Sequence, residues 1–173
     1  AECLQKPMKP ICTCPVCGQP LDPEQDPARC PPGHCYDTAR TRYWNLLPPG
    51  GKHSKQPGDN KEMIAARRQF LDLAHYLPLA RLATELALED LRSPAAVLDA
   101  GCGEGYYSQV LYRQAQAAGL DLLVAGADIS KFAVNQAARR LPQGRWAVAS
   151  LYRLPVAPGR FDRIFNLFAP HSP

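Results

Sequence analysis

Four metal-binding side chains lie within 21 residues near the start of the chain. Cys14 and Cys17 are separated by two residues, and Gly18 permits a tight turn that directs both thiolates at one ion. Cys30 follows after twelve further residues and His34 after three more. Three thiolates and one imidazole favour a closed, tetrahedral Zn²⁺ site of structural type. The spacing therefore predicts zinc bound by Cys14, Cys17, Cys30 and His34.

Other uses of these cysteines fit the sequence less well. Disulfides require an oxidising compartment, and residues 1–11 lack the apolar core of a secretory leader. A redox-active pair is expected beside a βαβ unit, whereas this pair lies in a proline-rich stretch. Cys35 is adjacent to His34 and could compete with it as the fourth ligand. Because ten of the 18 prolines and six of the seven cysteines lie in the first 50 residues, we expect a separate zinc module over residues 1–44.

A glycine-rich loop forms the second candidate site. Residues 95–100 predict a short buried strand that runs into the loop 101–105, and a helix is predicted to follow. Glycines allow the backbone to approach a bound ligand closely. The next predicted strand ends at Asp128, 23 residues after Gly105, and an acidic residue at about that spacing binds ribose hydroxyls in nucleotide-cofactor sites. The pattern predicts a nucleotide-containing cofactor.

The charge of the loop restricts which cofactor it can bind. Asp99 precedes the glycines and Glu104 lies among them. Two carboxylates would repel the diphosphate that a helix N-terminus normally binds, and they favour a cofactor with an amine and a sulfonium cation. We therefore expect the loop that contains Gly101, Gly103 and Gly105 to bind such a cofactor.

The elements that must position this loop alternate along the chain. Strands are predicted at 95–100, 122–127, 145–149 and 161–167, with helices between them, which indicates an α/β domain with a parallel sheet over residues 61–173. A helix capped by Asn60 precedes them, Pro78 interrupts it, and a second helix resumes at Leu79.

Residues 45–60 predict a basic linker between the two modules. Residues 38–68 contain seven Lys or Arg and two acidic side chains, an excess of +5, although the whole chain carries only +4. Lys52 and Lys55 suit binding to a nucleic-acid phosphate backbone, but a solvated linker has the same pattern. Tyr43 and Trp44 could stack on bases or attach the zinc module to the second domain.

Composition excludes other classes of protein. Hydrophobic residues make up 46% of the chain and charged residues 21%, as in a globular protein. No apolar run approaches the roughly 20 residues of a membrane span. We therefore expect no membrane association and a cytoplasmic location.

A family resemblance is carried by several strings in a fixed order. Residues 97–105, VLDAGCGEG, closely resemble motif I of the class I S-adenosylmethionine-dependent methyltransferases. The zinc-ligand strings, Asn45-Leu-Leu-Pro48, Pro57-Gly-Asp59, Ala66-Arg-Arg68, Phe70-Leu-Asp72, His75-Tyr76 and residues 101–107 complete the series. The series resembles the RlmA family, bacterial enzymes that methylate guanine N1 in a 23S rRNA hairpin, some of which confer macrolide resistance.

The resemblance implies a Rossmann-like class I methyltransferase sheet, S-adenosylmethionine and zinc as cofactors, and 23S rRNA as partner. It also implies that Tyr76, Tyr107 and Ser108 contact the cofactor and that Asp128 binds its ribose. Residues 161–170 occupy the position that faces the methyl group, but they lack the Asn/Asp-Pro-Pro-Tyr string of enzymes that methylate exocyclic amines. The catalytic residue is unknown, and Asn166 and His171 are candidates by position only.

The chain departs from the family at its C-terminus. Family members continue with further strands that complete a seven-stranded sheet, so we expect an incomplete sheet here. A long apolar edge strand promotes aggregation, so we expect the chain to be a truncated product, a fragment, or a protein whose sheet is completed by a second copy in a homodimer. Two other functions stay open: a methyltransferase acting on a protein or small molecule, and a non-catalytic zinc RNA-binding fragment.

Overall fold

The computed structural model describes residues 11–22, 25–48 and 57–170. The zinc module contains the antiparallel pair β1 (Ala28–Arg29) and β2 (Cys35–Tyr36). The later elements are β3 (Tyr43–Asn45), α1 (Lys61–Asp72), α2 (Leu77–Leu88), β4 (Ala95–Ala100), α3 (Tyr106–Ala117), β5 (Leu122–Asp128), α4 (Lys131–Arg140), β6 (Arg145–Val148), a 3₁₀ turn (Leu151–Arg153) and β7 (Arg163–Phe165).

The main sheet has the order β3-β6-β5-β4-β7, and every neighbouring pair in it is parallel. The strands β4 and β5 lie in its centre and are buried along nearly their whole length, which explains their continuous apolar sequences. Helices α3 and α4 pack against β5, and α4 also packs against β6. The predicted α/β class with a parallel sheet is therefore confirmed.

The edge strand β3 was not predicted from the sequence. It pairs with β6, and just beyond it the Leu46 N–H donates to the Val148 carbonyl at 2.9 Å. Tyr43 is buried in the main core, and Trp44 packs against the core of the zinc module. These two side chains therefore attach the zinc module to the sheet, which is the second of the two roles that the sequence analysis left open for them. A strand of three residues is too short to give a periodic pattern.

One of the two helices around Pro78 begins where it was predicted and the other does not. Helix α1 begins at Lys61 as expected, because Asn60 Oδ1 accepts the N–H of Met63 at 2.9 Å. Pro78 lies in the first turn of α2 and does not precede it. A proline is tolerated there because the first N–H groups of a helix have no partner within it.

The zinc module packs directly on the α/β domain. The Thr13 N–H donates to the Pro155 carbonyl at 2.8 Å, and the Ala157 N–H donates to the Ile11 carbonyl at 2.9 Å. A shared core contains Cys14, Leu21, Cys30, Leu46 and Ala147. The two modules are joined by both backbone pairing and apolar packing.

The opposite edge of the sheet is formed by β7, which is three residues long and not seven as predicted. It pairs with β4, and in the part of the chain that the structure describes no strand covers its other side. Ile164 is 69% exposed there. None of the helices among residues 57–170 combines the length and apolar character needed to cross a membrane.

The packing of Leu46 yields a stability prediction. Its side chain is 1% exposed between the zinc module and the sheet, whereas Leu86 on α2 is 61% exposed. We expect Leu46→Ala to lower the free energy of unfolding by about 2–5 kcal/mol, because it leaves a cavity. Leu86→Ala should change it by less than about 1 kcal/mol. Denaturant unfolding of the zinc-loaded chain measures both, and equal losses would contradict this packing.

Candidate zinc centre and cofactor pocket

The four predicted zinc ligands converge on one point. Their ligand atoms all lie within 4.8 Å of one another. Cys14 Sγ lies 3.6 Å from His34 Nδ1, Cys17 Sγ lies 3.6 Å from Cys30 Sγ, and Cys30 Sγ lies 3.3 Å from His34 Nδ1. Tetrahedral coordination at ordinary Zn–S and Zn–N bond lengths separates such atoms by about 3.5–3.8 Å. The four side chains therefore fit a Zn²⁺ ion.

The surroundings of Cys14 favour the thiolate that a metal requires. Burial acts to raise its pKa, but hydrogen bonds from the Tyr36 hydroxyl and from backbone N–H groups outweigh burial and lower the pKa to about 6. The Tyr36 hydroxyl lies 3.1 Å from Cys14 Sγ. Cys35 is exposed and lies outside the cluster, so it does not compete with His34.

A cavity of about 480 Å³ opens at the carboxyl ends of β4, β5 and β6. The glycine loop after β4, the end of β5 and the turn after β6 line one side of it. Residues of α1 and the segment after β7 line the other side. Ligands of parallel α/β sheets bind in this position, beyond the carboxyl ends of the strands.

The loop glycines have two different roles. A Cβ at Gly101 would lie 2.2 Å from the Cβ of Ala169, and one at Gly105 would lie 2.8 Å from the Cα of Ala137. These two glycines therefore allow the segment after β7 and helix α4 to pack on the loop. A Cβ at Gly103 would meet no heavy atom within 4 Å. Because Gly103 lines the cavity, a ligand can approach the backbone there.

Glu104 is buried in an ion pair at the cavity wall. Its Oε2 accepts hydrogen bonds from Arg140 Nε at 2.8 Å and Nη2 at 2.7 Å, and the same guanidinium contacts Asp72 Oδ1 at 2.9 Å. Burial raises the pKa of Glu104, while Arg140 opposes that shift. Glu104 Oε1 has no hydrogen-bond partner among the described residues. The sequence analysis expected the Glu104 carboxylate to face a cationic cofactor, but Arg140 already balances much of its negative charge. Oε1 of Glu104 is the acceptor left for a ligand.

Asp128 is fixed at the edge of the cavity by two backbone donors. Its Oδ2 accepts the Gly103 N–H at 3.0 Å, and its Oδ1 accepts the Ser130 N–H at 2.8 Å. Each carboxylate oxygen keeps a further lone pair for a hydroxyl donor. The Asp59–Arg67 ion pair, at 2.6 Å, also borders the cavity close to the end of β5, because Ser130 Oγ donates to the Asp59 carbonyl at 2.6 Å.

Asp99 lies behind the loop and does not line the cavity. It is 3% exposed, and its Oδ2 accepts a hydrogen bond from Ser108 Oγ at 2.5 Å. Burial raises the pKa of Asp99 to about 7, against the effect of the Ser108 hydrogen bond. The pair connects the end of β4 to the first turn of α3, so these two side chains hold the loop in place.

Aromatic rings surround the mouth of the cavity. The ring of Phe168 lies 6.5 Å from that of Tyr76 and 6.1 Å from that of Tyr107, and Phe70 lies 5.6 Å from Tyr76. Phe168 is 76% exposed and Tyr152 is 69% exposed. Aromatic surface therefore borders the opening, and a flat ring system could pack against it.

The predicted cofactor residues divide into two groups. The cavity is lined by Tyr76, Gly101, Gly103, Glu104, Tyr107 and Asp128, whereas Asp99, Gly105 and Ser108 support it from behind. Asn166 is exposed but does not line the cavity, and His171, Lys52 and Lys55 lie outside the described residues.

The sequence analysis missed Asp59, Arg67, Tyr152 and Phe168 as lining residues. The string Pro57-Gly-Asp59 is the sequence feature that could have indicated Asp59. Its Gly58 permits a close approach to β5, since a Cβ there would lie 2.9 Å from Ile129 and Ser130 side-chain atoms. That close approach places Asp59 next to the end of β5.

Comparison with known proteins supports the same division of the chain. Residues 12–55 match the family Zn_ribbon_RlmA (RlmA, N-terminal), and residues 97–172 match the family Methyltransf_25 (methyltransferase domain). A 23S rRNA (guanine(748)-N(1))-methyltransferase of Streptomyces fradiae is 39% identical, over 92% of this chain and 56% of its own length. A Micromonospora griseorubida protein, provisionally named a 23S rRNA (guanine-N(1)-)-methyltransferase, is 40% identical over 94% and 59%.

Solved structures identify the fold. A Methanococcus maripaludis protein, provisionally assigned as an S-adenosyl-L-methionine-dependent methyltransferase, superposes with a TM-score of 0.55 at 15% identity, over 68% of this chain and 55% of that chain. Together with the parallel sheet and the glycine loop, this defines the chain as a protein of the class I methyltransferase fold with an N-terminal zinc ribbon. More particularly, its N-terminal part matches the RlmA zinc-ribbon family, and more than nine-tenths of the chain is similar to the two relatives named above. It spans 56–59% of the length of these two relatives.

The geometry of the zinc centre predicts which cysteines retain the metal. Cys17→Ser removes a thiolate from the cluster, and we expect it to lower the zinc content of the purified chain well below one ion per molecule. Cys35→Ser is the matched control, because Cys35 is exposed outside the cluster. Elemental analysis measures both, and a Cys17→Ser chain with full zinc content would contradict the assignment.

The burial of Asp99 predicts a pH dependence of stability. Its pKa is about 7 in the folded chain and near the ordinary value of 3.8 when unfolded, so between these values the folded state holds a proton that the unfolded state releases. The free energy of unfolding should therefore fall as pH rises from about 4 to about 7, by up to about 4 kcal/mol. Asp99→Asn should flatten that slope and Asp121→Asn, at an exposed site, should not. Identical slopes in both variants would refute the prediction.

Proposed function

We propose that the chain acts in the methylation of 23S rRNA, with S-adenosylmethionine as donor and guanine N1 as acceptor. One observation carries the proposal: a glycine-loop cavity bordered by a fixed acidic residue lies on the same chain as an RlmA-type zinc ribbon. The names of the Streptomyces fradiae and Micromonospora griseorubida relatives, which are similar over more than nine-tenths of this chain, support the substrate.

The cavity residues provide the binding functions that this cofactor needs. S-adenosylmethionine, when bound, supplies an electrophilic methyl group. In the proposed site Asp128 accepts hydrogen bonds from ribose hydroxyls, because both its oxygens are already oriented by backbone donors. Glu104 Oε1 is the acceptor for the ammonium group, and Gly103 allows the cofactor close to the backbone. Asp99 and Ser108 hold the loop that presents these groups.

The aromatic mouth is the proposed entrance for the target base. An N1 atom inside a helix is inaccessible, so the guanine must come from a loop or turn out of the stack. Phe168 is exposed and lies next to Tyr76 and Tyr107, both of which line the cavity. Stacking on these rings would direct N1 toward the cofactor. Asn166 and His171 follow β7 in the sequence and are candidates for polarising the base by position only, since Asn166 does not line the cavity and His171 lies outside the described residues.

The zinc site has a structural role in this proposal. Its four ligands leave no coordination position for a substrate. The module it stabilises packs on residues 155–157, just after the 3₁₀ turn whose Leu151 and Tyr152 line the cavity. Four further features belong to the same proposal and rest on the family resemblance. They are a hairpin context for the guanine, a homodimer formed at the outer edge of β7, a cytoplasmic location and a part in macrolide resistance.

Methyl transfer from labelled S-adenosylmethionine to 23S rRNA that lacks N1-methylguanine tests the proposal. We expect label on RNA, mapped to N1 of one guanine. Asp128→Asn should weaken S-adenosylmethionine binding about 10- to 100-fold in calorimetry, because it removes a charged acceptor. Asp90→Asn, at an exposed position, is the control and should bind as the unaltered chain does.

The same assay separates the alternatives. Label on a protein or a small molecule, with none on RNA, would replace rRNA as the substrate. RNA binding without any methyl transfer would indicate a non-catalytic RNA-binding chain.

A further inference from the structure

A second cavity, of about 420 Å³, lies between the zinc module and the sheet. Arg40, Arg42, Arg145 and Trp44 line it, and we call these four residues the arginine cleft. Arg145 begins β6, and Arg42 precedes β3. The cleft therefore lies at the amino ends of these parallel strands, whereas the cofactor cavity lies at the carboxyl ends.

The turn that carries two of the arginines is held rigidly. The Ala39 N–H donates to the Tyr43 carbonyl at 3.0 Å, and the Arg42 N–H donates to the Ala39 carbonyl at 2.7 Å. Thr41 Oγ1 donates to Asn135 Oδ1 of α4 at 2.7 Å. The backbone below the two guanidinium groups is thus ordered before any ligand binds, which lowers the entropic cost of binding.

Among the described residues, the positive charge of the cleft is only partly balanced. None of the three arginines forms an ion pair with any residue in the described ranges. Of the carboxylates that the structure describes, Asp26 alone lines the cavity, against three guanidinium groups. Arginines gathered without carboxylate partners favour an anion that can accept several hydrogen bonds, and phosphate oxygens match the guanidinium fork.

Trp44 adds an apolar surface to the cleft. Its indole N–H donates to Thr38 Oγ1 at 3.1 Å, which fixes the ring. A fixed aromatic ring beside phosphate-binding arginines suits a polymer that alternates phosphates with flat bases.

We propose that the arginine cleft binds the phosphate backbone of the RNA substrate. The cleft lies at the amino ends of the strands, whereas the cofactor cavity lies at their carboxyl ends. The inference rests on the proposed function, and it identifies a contact surface separate from the site of methyl transfer. The zinc module supplies one side of the cleft through Cys12, Gln25 and Asp26. Its place beside the sheet therefore shapes an RNA-binding surface.

Salt-dependent binding of unmethylated 23S rRNA tests the cleft. The triple variant Arg40→Gln, Arg42→Gln, Arg145→Gln removes its three cations. We expect its dissociation constant at about 0.1 M salt to rise at least about tenfold, and the slope of log affinity against log salt to decrease by about 2, because up to three phosphate contacts are lost. Its melting temperature and its affinity for S-adenosylhomocysteine should stay unchanged.

A second triple variant controls for net charge. Arg92→Gln, Arg113→Gln and Arg139→Gln remove the same charge from exposed positions outside the cleft. This variant should keep its RNA affinity within about threefold. Equal losses in the two variants would show a diffuse charge effect and overturn the cleft, as would unchanged binding in the first variant.

Tryptophan fluorescence gives a readout that is independent of catalysis. The chain contains two tryptophans, and both Trp44 and Trp146 line this cavity. RNA should quench their emission in the unaltered chain and in the control triple, and not in the cleft triple. Quenching by RNA in a chain without methyl transfer would support the cleft while contradicting the proposed function. Equal quenching by polyglutamate at the same charge would assign the cleft to acidic protein and overturn it.

Discussion

The cofactor cavity depends on the ion pairs of one buried guanidinium group, that of Arg140. Its side chain is 8% exposed, and it bonds to Glu104 in the glycine loop and to Asp72 at the end of α1. It also lies over the Tyr106 ring at 5.7 Å. A buried carboxylate is stable only when it is paired, so this single cation fixes the loop, α1 and α4 relative to one another.

The sequence was informative wherever the chemistry is local. The zinc ligands, the glycine loop and Asp128 could be predicted because each depends on spacing within one segment and on the end of a buried strand. Arg140 could not be predicted, since its partner Glu104 is 36 residues away. Edge strand β3 was missed for a similar reason: its pairing with β6 depends on residues about a hundred positions later. Prolines misled only at Pro78, where a helix start resembles a helix break.

The glycine loop illustrates how one motif combines structural and binding roles. Only Gly103 offers open space to a ligand, while Gly101 and Gly105 allow neighbouring segments to pack on the loop. The acidic residues divide in the same way, because Asp128 and Glu104 line the cavity and Asp99 supports it. A motif match therefore indicates where a cofactor binds, but packing determines which of its residues can touch that cofactor.

The parallel pairing of β3 with β6 has a consequence for how the chain folds as it is synthesised. All four metal ligands lie within 21 residues, so the zinc module can close around its ion while the rest of the chain is still being made. Docking of β3 must wait for residues 145–148, and such distant contacts form late and slowly. Until then Leu46 has no sheet to cover it. The zinc module is thus expected to fold before the domain whose sheet includes β3.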